Sequence, residues 1–282
     1  MPGPAGPRAV YTDMDGTLLG LGGSIFRTAA GDFTLAGARA LELIDANGAR
    51  LVLVSGRSAR LLREDARILG AEGFIAELGC LLVRDGEEVE NCAPFGRRQG
   101  LTVFEEISET GAPELLFQHF GSGLAYHDPW HRDHRYTHLM RGCIDIAEAT
   151  RLLREKGLSA LKVADNGVIE DLGYDMKVPE LHAYHLMPSS TSKGSAIELD
   201  LRMAGLKRED VIACGDSDQD LDMARAVRTL YLLSGGAQDR TRAEEGPARA
   251  GPVSPGPDNV VTVAKPMVEG FLEAMKKEFP GG

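Results

Sequence analysis

The chain has 282 residues, 43% of them hydrophobic and 26% charged, with a net charge of −11. That length exceeds one typical domain of roughly 100–200 residues, so one large or two modest soluble domains are expected. The acidity argues against nucleic acid or an anionic membrane as partner, since both require basic surfaces. An anionic substrate would have to be met locally, by a metal ion or by placed Lys and Arg side chains.

Cys80, Cys92, Cys143 and Cys214 form no CxxC pair, which fits free thiols in a reducing compartment. The Pro/Gly-rich start, Met1 to Arg8, lacks the apolar stretch of a signal peptide. No apolar run approaches the ~18 residues that a membrane span needs, so a cytoplasmic protein is expected.

Along residues 1–80 strands and helices alternate. Ala9 to Thr12 is a short β-prone run, Thr34 can cap a helix that stops at Gly48, and Leu51 to Val54 reads as a strand covered on both faces. A helix over Ala59 to Leu69 and a strand from Phe74 to Ala76 follow. This grammar predicts a Rossmann-like parallel sheet with crossover helices, an α/β fold.

From about Cys80 the pattern changes. Leu81–Val83 and Glu87–Glu90 flank Asp85-Gly86 as a hairpin, and Ile144 to Lys156 is an amphipathic helix. Leu161–Val163 and Val168–Glu170, joined by Asn166-Gly167, read as a second hairpin, and Leu181 to Leu186 as a strand. Residues 81–189 are therefore expected to form an α+β cap inserted into a core made of 1–80 and 190–282. The core resumes with a helix from Lys193, a strand at Val211 to Cys214, a helix at Asp218 to Val227 and a strand at Thr229 to Leu233. Gly235 to Asn259 reads as a mobile loop, before a last strand at Val260 and a helix from Met267.

Asp13 and Asp15 stand where the first strand stops, the end at which open parallel sheets collect ligands. An i, i+2 pair on extended backbone points both carboxylates the same way. Asp13 can attack phosphorus without a base to activate it, and Asp15 can move protons. Gly16 lets the backbone turn close to an oxyanion. The competing reading is an Asx-type turn. Ser55-Gly56-Arg57, after the buried strand, suits a phosphate cradle at a helix start, or a plain helix cap. Lys193 offers a point charge to phosphoryl oxygens, or is a solvated lysine. Asp216, in Gly215-Asp216-Ser217-Asp218-Gln219-Asp220, places a carboxylate where a hard cation can be shared with Asp13, or begins an acidic first turn.

These four segments, Asp13-Met14-Asp15-Gly16-Thr17, Ser55-Gly56-Arg57, Lys193 and Gly215 to Asp220, resemble the motifs of the haloacid dehalogenase superfamily. The resemblance covers the core, and the insertion looks like the type II, Cof-like cap of sugar-phosphate phosphatases. It implies a magnesium-dependent phosphatase working through an aspartyl-phosphate. Its substrate would be a small phosphorylated metabolite, a sugar phosphate or a mannosyl-3-phosphoglycerate-like ester. Asp13 would be nucleophile and magnesium ligand. Asp15 would be acid and base, its carbonyl also on the metal. Gly16, Thr17, Ser55, Gly56, Arg57 and Lys193 would hold the phosphoryl group. Asp216 would complete the metal site, with Asp220 as support or a further ligand. Gln219 departs from the family, which usually has Asn there. An acid at Asp15 favours phosphoryl transfer over dehalogenation, which has no alkoxide to protonate. A phosphomannomutase-type mutase and a non-catalytic phospholigand-binding protein are the alternatives.

All seven histidines lie in the insertion, five of them between positions 119 and 138 beside Trp130, Arg132 and Arg135. A zinc site from His127, His131, His134 or His138, a surface that reads the substrate, and a solvated loop are the three readings. Lys177 and His182 are candidates to reach the leaving group.

Overall fold

A computed structural model describes residues 6–234 and 258–280 of the protein. Five strands form first: β1 (Ala9–Thr12), β2 (Arg50–Val54), β3 (Gly73–Ala76), β4 (Leu81–Arg84) and β5 (Glu87–Glu90). Helices α1 (Ala36–Ala46) and α2 (Ala59–Leu69) join the first three. The insertion holds α3 (Val103–Ser108), α4 (Ala112–Phe120), β6 (Leu124–Tyr126), β7 (His138–Gly142), α5 (Ile146–Glu155), β8 (Leu161–Val168) and β9 (His182–Pro188). After α6 (Lys193–Ala204) come β10 (Val211–Gly215), β11 (Thr229–Leu233), β12 (Val260–Val263) and α7 (Met267–Glu278).

The large sheet runs β12-β11-β10-β1-β2-β3-β4-β5, parallel from β12 to β3 and antiparallel at β4 and β5. Alternation along the strands divides the core between two faces. Val10, Leu51, Leu53 and Ile212 meet Leu43, Leu62 and Phe271 of α1, α2 and α7. Ala9, Tyr11, Val52, Val54 and Ala213 meet Ala196, Ile197 and Leu201 of α6 and Met223. A strand buried on both faces has no room for alternating polar residues, hence the continuous apolar run at Leu51 to Val54. At roughly 1.5–3 kcal/mol per fully buried aliphatic side chain, this two-sided burial is the main force fixing the strand ends in place. A polar bridge anchors α6 as well: Tyr11 donates to Asp200 at 2.6 Å, and Arg84 Nη1 donates to its other oxygen at 2.7 Å.

The second sheet, β6-β7-β9-β8, is wholly antiparallel. The fold is thus a Rossmann-like core with an α+β cap. Three expectations are corrected. The hairpin of β4 and β5 extends the large sheet, because Phe74 and Ile75 of β3 pair with Val83 and Leu82, so the change of texture at Cys80 precedes the second sheet. Asn166-Gly167 is not a hairpin turn: β8 continues through it to pair with β9, with a bulge between Asp165 and Val168. Asp165 accepts from Gly167 N–H at 2.8 Å, and Gly167 takes φ +93°, so the local turn chemistry makes a bulge in place of a chain reversal. Finally, the helix expected over Asp218 to Val227 is a 3₁₀ segment, Asp220–Arg225, and the proposed loop at 235–257 lies outside the described residues.

Candidate active site

The two aspartates of the first motif lie at the C-terminal end of β1. Asp13 extends the ladder, donating its N–H to the carbonyl of Cys214 at 2.9 Å, which brings the Asp216 loop after β10 alongside it. Asp13 is buried, whereas the Asp15 side chain is more than half exposed at the rim. Gly16 is required where it stands: it takes φ +89°, and a Cβ there would lie 2.4 Å from Asp216 Oδ2.

Lys193 is the first residue of α6, capped by Ser192. Its buried ammonium donates to Asp13 at 2.6 Å and to Asp220 at 2.7 Å. Burial works against that charge, yet the two carboxylates outweigh it and hold its pKa above the ordinary lysine value. Asp220 accepts further from Asp216 N–H, Ser217 N–H and the Ser217 hydroxyl, at 3.1, 3.0 and 2.7 Å. Its lone pairs are largely used, and it props the loop that presents Asp216. Thr17, fully buried, donates to Asp216 Oδ1 at 3.0 Å.

Asp13, Asp216 and Asp220 each offer a carboxylate oxygen within 4.8 Å of the others. Burial, with the nearby Asp220 and Asp216 carboxylates adding to it and Lys193 opposing it, raises the pKa of Asp13 well above the carboxylate range. Burial and then Asp220 push Asp216 up to about 7. A cluster of oxygen donors whose ionisation is costly without a further cation fits a hard divalent ion.

These groups open on a cleft of about 280 Å³ lined by Asp13, Asp15, Gly16, Ser55, Gly56, Lys193 and Asp216, and roofed by Asn166 to Ile169 of the second sheet. The roof was missed in the sequence because Asn166-Gly167 read as a turn. The bulge carries Asn166 over Gly56, where a Cβ would stand 2.7 Å from Asn166 Nδ2.

Helix α2 begins at Ala59 as expected, and Ser55 precedes it by a short loop, its hydroxyl accepting from Arg57 N–H at 3.2 Å. Arg57 turns from the phosphate cradle to grip Asp15, through Nη2 at 2.7 Å and Nε at 2.9 Å, while Nη1 donates to Asp65 at 2.8 Å. Lys177 and His182 do not line the cleft, and His182 pairs with Asp165 and Glu180 at 2.9 and 3.0 Å. Among the described residues no histidine group converges for zinc. His138 contacts the hydroxyl of Tyr126 and the Phe104 carbonyl, and His134 faces Glu77. Glu77 is a buried structural carboxylate that no motif announced. Fully buried, it accepts from the N–H groups of Arg135, Tyr136 and Thr137 at 3.1, 3.0 and 2.9 Å, tying the end of β3 to the second sheet.

A strand-end aspartate beside a buried lysine and a metal-suited carboxylate, under an inserted cap, defines a class of hydrolase, and comparison with known proteins agrees. Residues 10–239 match the haloacid dehalogenase-like hydrolase family, and the chain belongs to it. A phosphoglycolate phosphatase from Archaeoglobus fulgidus is 25% identical over 96% of both chains, and one from Pyrobaculum neutrophilum 27% identical over 98% of both. Among solved structures, a haloacid dehalogenase-superfamily phosphatase from Bacteroides thetaiotaomicron superposes with TM-score 0.62 at 17% identity, covering 99% of this chain and 97% of that one. The sucrose-phosphatase of Synechocystis does so with TM-score 0.61 at 14% identity, covering 96% and 97%. Among the described residues no helix is long and apolar enough to cross a membrane.

Proposed function

We propose that this protein is a magnesium-dependent phosphatase for a small phosphomonoester, a sugar phosphate or similar metabolite, acting through an aspartyl-phosphate. The observation that carries this reading is the Lys193 ammonium held between Asp13 and Asp220, beside Asp216, at the base of a roofed cleft. A phosphate dianion approaching Asp13 needs that positive charge, and the roof of β8 limits the leaving group to a small one.

Asp13 attacks phosphorus, and the bond to the leaving oxygen breaks as Asp15 gives that oxygen a proton. Asp15 then takes a proton from water, which attacks the phosphoryl group and frees inorganic phosphate and Asp13. Arg57 holds Asp15 at the rim and gives up one of its oxygens whenever Asp15 carries the proton, while Ser55, Gly56 and Lys193 hold the phosphoryl oxygens. Magnesium, held by Asp13, Asp216 and the Asp15 carbonyl, would supply positive charge against the dianion. Thr17 and Asp220 orient Asp216.

A phosphate-release screen over sugar phosphates, other phosphomonoesters and phosphoglycolate, with and without magnesium, tests this. Release that needs the metal and vanishes in Asp13→Asn is expected. Isomerisation without release would replace the reading with a mutase, and tight binding with neither outcome would replace it with a binding protein.

A further inference from the structure

The second sheet carries an ionic cluster that the phosphatase chemistry does not use, around His182 at the start of β9. Paired residues share a face of a sheet, so Asp165, His182 and Tyr184 lie together. Alternation puts them opposite Ala183 and His185, which share a chamber with Gly56 and Arg57 of the core. His182 thus stands behind the roof of the cleft, its side chain 19% exposed. Its Nδ1 lies 2.9 Å from Asp165 Oδ2 and 3.1 Å from Oδ1, and its Nε2 lies 3.0 Å from Glu180 Oε2. Ionised carboxylates only accept hydrogen bonds. A neutral ring would turn a lone pair on one of them, so this geometry requires an imidazolium that donates from both nitrogens.

That cation joins the two ends of the roof. Strand β8 bulges between Asp165 and Val168, where the ladder lapses and pairing alone does not fix Asn166. Asp165 shapes the bulge from behind: its Oδ1 accepts from Gly167 N–H at 2.8 Å, with Gly167 at φ +93°. Glu180 stands at the other end, next to Leu181, whose carbonyl accepts from Ile169 N–H at 2.8 Å. Asn166, Val168 and Ile169 line the catalytic cleft. The Tyr184 ring stacks on His182 at 5.8 Å, and Gly142 and Val168 flank it in the sheet. The charged groups acting on it are Asp165 and Glu180. The Asp165 hydrogen bond, opposed by burial and reinforced by Glu180, raises its pKa above the ordinary 6.5. A raised value means that the contribution is complete below 6.5 and is lost as pH rises through the folded-state value.

Resting on the phosphatase reading, we propose that His182 is a positioning residue: as an imidazolium clipped between Asp165 and Glu180, it holds the bulge that roofs the cleft and so sets an upper pH limit on the reaction. It touches no reacting atom. Loss of its proton removes one of the two donors, one carboxylate lets go, and the roof loosens over Asp13.

The test follows ring protons, amide exchange and turnover in the full-length protein. Ring-nitrogen NMR spectra should show both nitrogens of His182 protonated at about pH 7. In His182→Leu, exchange at Gly167 and Ile169, corrected for intrinsic rates, should rise roughly tenfold. In the same variant kcat/KM for p-nitrophenyl phosphate or a hexose phosphate, with magnesium, should fall by roughly tenfold. His182→Arg keeps a cation with donors for both carboxylates and should restore both values. Wild type and His182→Arg should match on the acid side, with the arginine variant pulling ahead as the imidazole deprotonates. A neutral His182 ring at about pH 7 would overturn the inference, and so would exchange that His182→Leu leaves unchanged. Where His182→Leu fails to fold, the two pH profiles decide alone, and parallel profiles overturn it. Exchange that rises while kcat/KM holds would overturn it and leave the phosphatase reading standing. No magnesium-dependent turnover of either ester by the wild-type protein would overturn both.

Discussion

Asp13 and Glu77 are buried carboxylates beyond the C-terminal ends of β1 and β3, two strands apart in one parallel sheet, yet their surroundings differ in kind. Asp13 shares a lysine with one carboxylate and crowds a third, so its surroundings remain short of positive charge. Glu77 is surrounded by three backbone N–H groups, a hydroxyl and an imidazole, and its oxygens are saturated. An under-compensated carboxylate is available to a cation and an electrophile. A saturated one is available only to hold structure. Glu77 and Leu78 reach this arrangement at φ +49° and +56°, with Leu78 N–H on the Ser55 carbonyl and Glu77 N–H on that of Arg57, so the same strained turn braces the catalytic loop.

The largest expected effect divides the two carboxylates. Asp13→Asn should lower phosphate release by at least about 10³-fold while the protein melts at nearly the same temperature. Substantial residual turnover would remove Asp13 from the chemistry. Lys193→Met should reduce kcat/KM by roughly 10²–10³-fold, because a buried cation facing the phosphoryl group has no substitute in the core. A change confined to stability would make Lys193 a structural counter-ion.

Glu77→Ala should act in the opposite sense. It strands three buried N–H groups and is expected to cost about 3–5 kcal/mol, a drop of roughly 10 °C in thermal midpoint. A drop of only about a degree would show that Glu77 does not tie the two sheets together.

The smallest effect is the pH response. In the metal-free protein Asp216 titrates near 7, against an ordinary 3.8. Between those values the folded chain holds more protons than the unfolded one, so the contribution of this cluster falls as pH rises, and magnesium should reverse the loss. His138 behaves oppositely: burial lowers it from 6.5 to about 4, so its contribution falls as pH drops through that window. Hydrogen exchange, corrected for intrinsic rates, should show β10 loosening on the alkaline side and β7 on the acid side. Loosening of both in the same direction would break the comparison.

The sequence alone determined the parallel core, because two-sided burial leaves its mark on every strand, as at Leu51 to Val54. It also determined the order of Asp13, Asp15, Ser55, Lys193 and Asp216, since each follows a strand or opens a helix and the topology brings those ends together. Tertiary structure decided what depends on side chains meeting across sheets. Arg57 read as a phosphate ligand until Asp15 and Asp65 claimed its donors. Asn166-Gly167 read as a turn until pairing with β9 carried β8 through it. Glu77 had no motif at all, because its partners at 134–137 lie some sixty residues away and three of its hydrogen bonds come from backbone N–H groups, which any residue but proline supplies. A periodic pattern records which face is buried, and a motif records local chemistry. Neither records which distant backbone a carboxylate will grip, and here that grip ties the end of β3 to the segment that leads into β7.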